Sequence, residues 1–258
     1  QAVLKIVLNS TYGVLKDKNN DLYDPLMSNK VCVYGQILLL DLIEHIEPYA
    51  QLIQSNTDGI LIKMPDGQDE EEWFNLIDDI AWEWEQRTGL TLEFDEYRKV
   101  FQKDVNNYII VAPDGHIKSK GAYVKKLSNL DYGDFPIVNH ALVEYMVKNI
   151  PVERFIHNCD ELKEFQMVTK ITSKYSTILH GDESIKEKCI RVFASTRETD
   201  AGVKKVSIRT GKPEKIASSP EHCFMFNENM TDVRCPAYLD KDWYVELAKK
   251  RLKDFGVM

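Results

Sequence analysis

Two groups of residues in this sequence have types and spacings that can do chemistry. The first is Lys5-x-x-x-Asn9-Ser10-x-Tyr12-Gly13. On a helix, Lys5, Asn9 and Tyr12 stand at i, i+4 and i+7 and share one face. Ammonium, amide and phenol together suit a nucleoside triphosphate, because lysine neutralises phosphate and an aromatic ring can lie against a base or sugar. An ordinary helix end stopped by Gly13 has the same pattern. The second group is Asn56-Thr57-Asp58, flanked by Leu52, Ile53, Ile60, Leu61 and Ile62. An apolar hairpin is a rigid stage, and an aspartate at its tip is placed to hold Mg²⁺, which typically takes one or two protein carboxylates plus phosphates and waters. Aspartate is also common in β-turns, where its side chain bonds its own backbone.

The elements that must position these groups follow from hydrophobic periodicity and turn residues. Val3, Leu4, Val7 and Leu8 continue a helix to about residue 14. Lys16 to Asn29 reads as a polar turn or hairpin. Ser28 or Asn29 is then expected to cap a long helix ended by Pro48. Residues 51 to 63 read as two strands around the Asn56–Gly59 turn. Asp69-Glu70-Glu71-Glu72 opens an amphipathic helix whose acids suit the positive end of the helix dipole. Its buried stripe is expected to be Trp73, Leu76, Ile77, Ile80 and Trp84, with Asp78, Asp79, Glu83 and Glu85 on the solvated side. Strands are expected over 91–101, 106–112 and 116–124, with Pro113-Asp114-Gly115 as a turn between the last two. A composition change at Leu127 to Pro136 marks a domain limit. Beyond it the pattern predicts helices over about 137–149 and 241–255 among mixed short elements. The fold class is α+β.

Composition narrows the function. The net charge is −8, with 43% hydrophobic and 29% charged residues. That total argues against nucleic acid as a partner, but clustering counts for more than the sum. The acid is concentrated between Asp66 and Glu96, whereas Lys118, Lys120, Lys125 and Lys126, and the stretch Lys204-Lys205 to Lys215, are basic. The apolar run Ile37 to Leu40 is interrupted by Asp41, so no segment is expected to reach the roughly 20 apolar residues of a membrane span. Cys32, Cys159, Cys189, Cys223 and Cys235 are scattered and form no C-x-x-C pair. This favours a reducing cytoplasmic compartment over zinc or disulfide frameworks. His222-Cys223 with Cys235 lacks a fourth ligand, and a core cysteine is the better reading. The sequence opens inside an apolar helical pattern without Met or signal peptide, as expected of a segment of a longer chain.

Taken together, the two motifs resemble motifs B (K-x-x-x-N-S-x-Y-G) and C (D-T-D-S) of the family B DNA polymerases, in the right order and at a fitting separation. Leu92-Glu93-Phe94-Asp95 resembles that family's L-E-x-E strand, Asn107-Tyr108 falls at its K-K-R-Y signature, and Lys120-Gly121 at its K-G. The closing Trp243-Tyr244 and Lys249-Lys250-Arg251-Leu252 segment is most similar to phage-type members. The resemblance implies the end of the fingers helix and a connector over 1–28. It implies a palm with an antiparallel sheet and packed helices over 29–126, and a mixed, mostly helical thumb and C-terminal region over 127–258.

It also implies roles. Lys5, Asn9 and Tyr12 would bind the incoming deoxynucleoside triphosphate. Asp58 would be catalytic and hold two Mg²⁺ ions, while Tyr108, Lys118, Lys120, Gly121 and Lys125 would grip primer-template DNA through its backbone. Asn56 departs from the family by replacing the first aspartate of D-T-D, Gly59 stands where serine is usual, and Asn106 and Asn107 stand where lysine and arginine are usual. Asp21-Leu22-Tyr23-Asp24-Pro25 is a decoy for motif A, which is expected in an upstream half of the same polymerase. Without that second carboxylate, two-metal chemistry is incomplete, and the chain alone is expected to be inactive. A degenerate, non-catalytic DNA-binding module is the alternative. No membrane partner is expected. The parent would work in the cytoplasm, that of a bacterial host if it is a phage or prophage enzyme.

Overall fold

The computed structural model describes residues 10–121, 123–124 and 133–257. The chain forms two compact units, Gln1–Asp95 and Glu96–Met258. The division falls ahead of the composition change near residue 127, because Ile109 and Val124 are buried in the same core as Phe135 and Ile137.

In the first unit, residues 10–14 are helical and are followed by turns. The Asp17 and Asn20 side chains accept from the backbone two residues on. Helix α1 (Pro25–Ile46) starts earlier than the sequence suggests. Asp24 caps it by accepting from Met27 N–H, and Pro25 occupies the first turn, where its missing N–H costs nothing. Ser28, the expected cap, is instead buried inside the helix. The decoy Asp24 is thus a capping residue.

Strands β1 (Gln51–Ser55) and β2 (Ile60–Lys63) pair antiparallel, with a register shift between Leu52 and Gln54. Helix α2 (Glu70–Thr88) is capped by Asp69 and ended by Gly89 at φ 71, a left-handed geometry that glycine adopts without steric cost. Leu42, Ile46, Ala50, Ile77 and Trp84 form this unit's core, with Ile60 and Ile62 packed on it. The Trp84 indole donates to Leu38 O at 3.0 Å and the Trp73 indole to Tyr49 O at 2.8 Å. Arg87 forks onto Asp41. Leu76 is exposed, contrary to expectation, and Ala81 takes the buried place beside Ile77 and Trp84. Asp78, Asp79 and Glu83 are exposed, as expected, whereas Glu85 is half-buried because its carboxylate accepts from Leu92 N–H.

Contrary to the sequence reading, α1 is long and apolar enough to cross a membrane by length and composition. A small fraction of it is buried, and Leu26, Val31, Tyr34, Ile37 and Leu40 are exposed.

The second unit begins with a three-stranded antiparallel sheet, β3 (Lys99–Asp104), β4 (Asn107–Val111) and β5 (Ile117–Lys120). Residues 91–97 are not in a strand, so the first of these strands starts later than expected. The Pro113–Gly115 turn joins β4 to β5 as anticipated, with Asp114 accepting from His116 N–H. Helices α3 (Pro136–Lys148), α4 (Val152–Asn158) and α5 (Lys241–Asp254) pack together. Between them lie two sheets, so strands share with helices the segment expected to be mostly helical. One has the order β11-β10-β7-β8, from β7 (Tyr175–His180), β8 (Glu183–Ile185), β10 (Val203–Ser207) and β11 (Pro213–Lys215). The other has the order β12-β9-β6, from β6 (Met167–Lys170), β9 (Cys189–Ala194) and β12 (Cys223–Met225).

Tyr244 sits at the centre of this unit, with Phe135 and Phe165 edge-on to its ring at 5.3 and 5.0 Å. Its hydroxyl donates to Phe165 O at 2.8 Å and accepts from Ala194 N–H at 2.9 Å. Replacing Tyr244 with Phe would leave both backbone groups buried and unpaired, each costing about 1–3 kcal/mol. We expect Tyr244→Phe to lower the urea midpoint accordingly with an unchanged m-value; an unaltered midpoint would show that the hydroxyl does not join these elements.

Candidate functional site

Asp58 sits at the exposed tip of the β1–β2 hairpin. Asn56 N–H donates to Gly59 O at 2.8 Å and closes the turn. The Asn56 side-chain oxygen accepts from Thr57 N–H at 2.8 Å and from Thr57 Oγ1 at 3.3 Å. A carboxylate could accept the same two bonds, so asparagine keeps the turn while removing one negative charge beside Asp58. Asp58 makes no ion pair among the described residues.

Glu93 and Asp95 are exposed on the extended segment after α2. The two do not complete a three-residue site with Asp58, since the described residues contain no group of three His, Cys, Asp or Glu side chains that could hold a metal ion. One carboxylate fits Mg²⁺ as a partial donor set, since that ion keeps waters and substrate oxygens as its remaining ligands.

Of the face expected to bind the triphosphate, Lys5 and Asn9 lie outside the described residues. Tyr12 is half-buried, and its hydroxyl is 2.8 Å from Cys32 Sγ on α1. The Lys16 ammonium lies 4.6 Å from the centre of its ring. Hydrogen bonding to Tyr12 raises the pKa of Lys16, so the ammonium stays charged. Sequence reasoning missed Cys32, because nothing in residue spacing announces a partner from the next helix.

In the second unit, the expected DNA-contacting residues meet on one sheet. Tyr108 pairs in register with Lys120 and Ile110 with Lys118. Lys118 and Lys120, two apart on β5, share a face. Both are exposed, and the Lys120 ammonium stands 5.9 Å from the Tyr108 ring centre. Lys125 lies outside the described residues.

Asn106 and Asn107, read from sequence as lost cations, have a structural task. Asp104 accepts from Asn106 N–H at 2.8 Å and from the Asn107 amide at 2.9 Å. The Asn107 amide and then Asn106 N–H hold the Asp104 carboxyl below its usual range. This turn presses on Gly121, whose φ is 104; a Cβ there would lie 2.2 Å from Asn107 Oδ1 and 2.5 Å from Asn106 O. Glycine at the Lys120-Gly121 pair is therefore required by backbone packing.

The Tyr123 ring has two cations on it, Lys103 at 4.3 Å and Arg251 at 4.7 Å from its centre. Arg251 is buried, donating to Asp134 at 2.6 Å and Asn139 at 2.9 Å. Lys249 pairs with Glu153. These two members of the closing basic run thus serve the fold. Cys223 is a fully buried core residue, as expected; desolvation pushes its thiol up to about 11.

The geometry comprises an apolar hairpin offering a carboxylate, a helix end carrying Tyr12, and a separate antiparallel sheet with an aromatic-and-lysine face. No family model matches the chain. The fold is that of a solved family B DNA polymerase from the hyperthermophilic archaeon Pyrobaculum calidifontis, with a TM-score of 0.57 and 16% identity over 98% of this chain and 32% of that one. In sequence, the chain is 26% identical over 247 residues to DNA polymerase 1 of Sulfurisphaera ohwakuensis, covering 86% of this chain and 27% of that protein. It is 25% identical over 246 residues to DNA polymerase 1 of Sulfolobus acidocaldarius, again over 86% and 27%.

The chain is thus similar in sequence to one segment of these DNA polymerases and in fold to a family B member, and it spans about a quarter of the length of the curated relatives it matches.

Gly115 and Gly121 allow the packing argument to be tested. Both have positive φ, but a Cβ at Gly115 meets nothing within 4 Å. Gly115→Ala should show backbone strain alone, about 1–3 kcal/mol. Gly121→Ala should cost clearly more in urea unfolding. Equal losses would mean that the Asn106–Asn107 turn yields to a methyl group.

Proposed function

We propose that the chain is the rear portion of the polymerase core of a DNA-dependent DNA polymerase. The parent adds deoxynucleotides to a primer 3′ end, and Asp58 supplies one of the carboxylates that hold its catalytic Mg²⁺ ions. The observation that carries this reading is the rigid apolar hairpin with the Asp58 carboxylate exposed at its tip. Magnesium at this position would neutralise charge on the triphosphate and help activate the primer hydroxyl. The second carboxylate comes from the upstream half of the parent, which also covers the exposed apolar face of α1; protein, rather than a membrane, is the partner of that helix. Residues 1–28, 29–126 and 127–258 then correspond to the fingers end, palm and thumb.

Within this reading, Tyr12, with Lys5 and Asn9, faces the incoming nucleotide, and Tyr108, Lys118, Lys120, Gly121 and Lys125 belong to the surface that grips the primer-template backbone. A cytoplasmic replication enzyme is the setting. The matched relatives with printed sources are archaeal, while the closing Trp243-Tyr244 segment carries the likeness to phage-type members. Asn56 favours a second reading, a degenerate module that binds DNA without chemistry.

The two readings separate in the full-length parent. Asp58→Ala should lower nucleotide incorporation at least about a hundredfold, which is roughly 2.7 kcal/mol of transition-state stabilisation. EDTA should abolish incorporation, and the isolated chain should incorporate nothing. A parent with full primer-template binding but no incorporation before any mutation would establish the module instead.

A further inference from the structure

Two of the cysteines, neither of them in a polymerase-like motif, meet in the second unit. Cys159 ends α4, and Cys235 lies in the segment leading into α5, 76 positions along the chain. Both are free thiols and half-buried. Sequence spacing hides the pair, because nothing local relates the two.

The backbone brings them together. Glu161 and Arg234 form an antiparallel bridge, flanked by Cys235 N–H donating to Asp160 O and Leu162 N–H donating to Val233 O, each at 3.0 Å. That register sets Cys235 opposite Asp160, one residue from Cys159. A disulfide spans Cα atoms about 4.4–6.8 Å apart, and neighbouring positions across an antiparallel pair fall within that range. The Cys235 thiol is turned toward Cys159, with its Sγ 3.9 Å from Cys159 O. Arg234 reinforces the bridge by pairing with Asp160 at 3.5 Å.

The third member of the cluster is Lys241, the first residue of α5. Its ammonium donates to Cys159 O at 2.7 Å and to His157 O at 3.0 Å, which fixes a cation at this place. Burial raises both thiol pKa values, that of Cys235 to about 11, and the Lys241 ammonium pulls each back. A neighbouring cation favours the thiolate, which is the nucleophile of disulfide exchange.

We propose that Cys159 and Cys235 form a cross-linking site, closed into one disulfide by exchange with a small-molecule disulfide such as oxidised glutathione. The Cys159 thiolate attacks one sulfur of the oxidant, forming a mixed disulfide and expelling one small thiolate. The Cys235 thiolate then attacks the Cys159 sulfur, forming the internal S–S bond and expelling the second. The cysteines lose two electrons and two protons, and the oxidant leaves as two thiols. The bond closes a segment that holds every strand from β6 to β12, and a long closed loop stabilises by restricting the unfolded chain. A reducing cytoplasm keeps the pair open, so the cross-link is reversible. The proposal lies outside the polymerase reading and does not rest on it.

The test is peptide mapping of the full-length parent after incubation with oxidised glutathione at mildly alkaline pH, digested without reductant and read by mass spectrometry. The linked Cys159–Cys235 peptide is expected in at least about half of the molecules, and dithiothreitol should remove it. Cys189→Ser should leave the link unchanged, whereas Cys235→Ser should abolish it and leave one glutathione on Cys159, because no second thiol resolves the mixed disulfide. Unfolding curves under reducing conditions check that the variants are folded, and the unsubstituted protein decides the matter even if they are not. Separate glutathione adducts on both cysteines of the folded protein, free thiols at both positions after prolonged exposure, or a linked peptide that forms only in urea would each overturn the proposal.

Discussion

Tyr244 is fully buried, and its hydroxyl can be satisfied only if the Phe165 carbonyl and the Ala194 amide both come to it. These groups belong to the single short helical turn Leu162–Phe165 before β6, to the end of β9 and, through the ring itself, to α5. A buried phenol without partners is costly, so this one oxygen selects a single arrangement of those elements. The same logic governs the first unit at smaller scale. Trp84 is buried, its N–H has one carbonyl to find, and reaching Leu38 O sets α1 against α2. The β1–β2 hairpin, with Ile60 and Ile62 on that core, inherits its position from this contact. The Asp58 carboxylate is thus held by an indole that never touches it.

Glycine and asparagine play a related part around the proposed DNA-gripping face. Asp104, Asn106 and Asn107 form a turn whose hydrogen bonds are internal, and Gly121 admits that turn by having no side chain. Cations at the two asparagine positions would add phosphate attraction but forfeit the amide that bonds Asp104. The chain therefore combines a self-contained turn with Lys118 and Lys120 on the neighbouring strand as its charge-bearing side chains. At the hairpin tip, Asn56 reflects the same trade: the oxygen that orders Thr57 is retained and the charge is not.

Much of this was legible in the sequence. The acidic start of α2 at Asp69, the β1–β2 turn, the Pro113–Gly115 turn and the terminal helix from Lys241 each rest on interactions between residues close in the chain, where residue type and spacing decide. The errors have a common origin. The start of α1 was misplaced because Asp24-Pro25 reads as a turn, although Pro25 suits a first helical turn and Asp24 its cap. Leu76 was expected in the core because it is apolar, yet the face that α2 buries is chosen by α1, which seats Ala81 instead. The strand at 91–97 was expected from its residue types, and none of that segment is in a ladder.

The sequence by itself determined the α+β class, the order of the chemistry-bearing motifs and the resemblance to family B DNA polymerases, because motifs and local periodicity are properties of neighbouring residues. Only the tertiary structure decided that Tyr12 meets Cys32, that Arg251 is spent on Asp134 and Asn139, and that Lys204 faces Lys215 while Lys205 faces Glu214. Those pairings join positions far apart in the chain or depend on strand register. Register is set by which side chains can be buried together, and no spacing along the sequence records that.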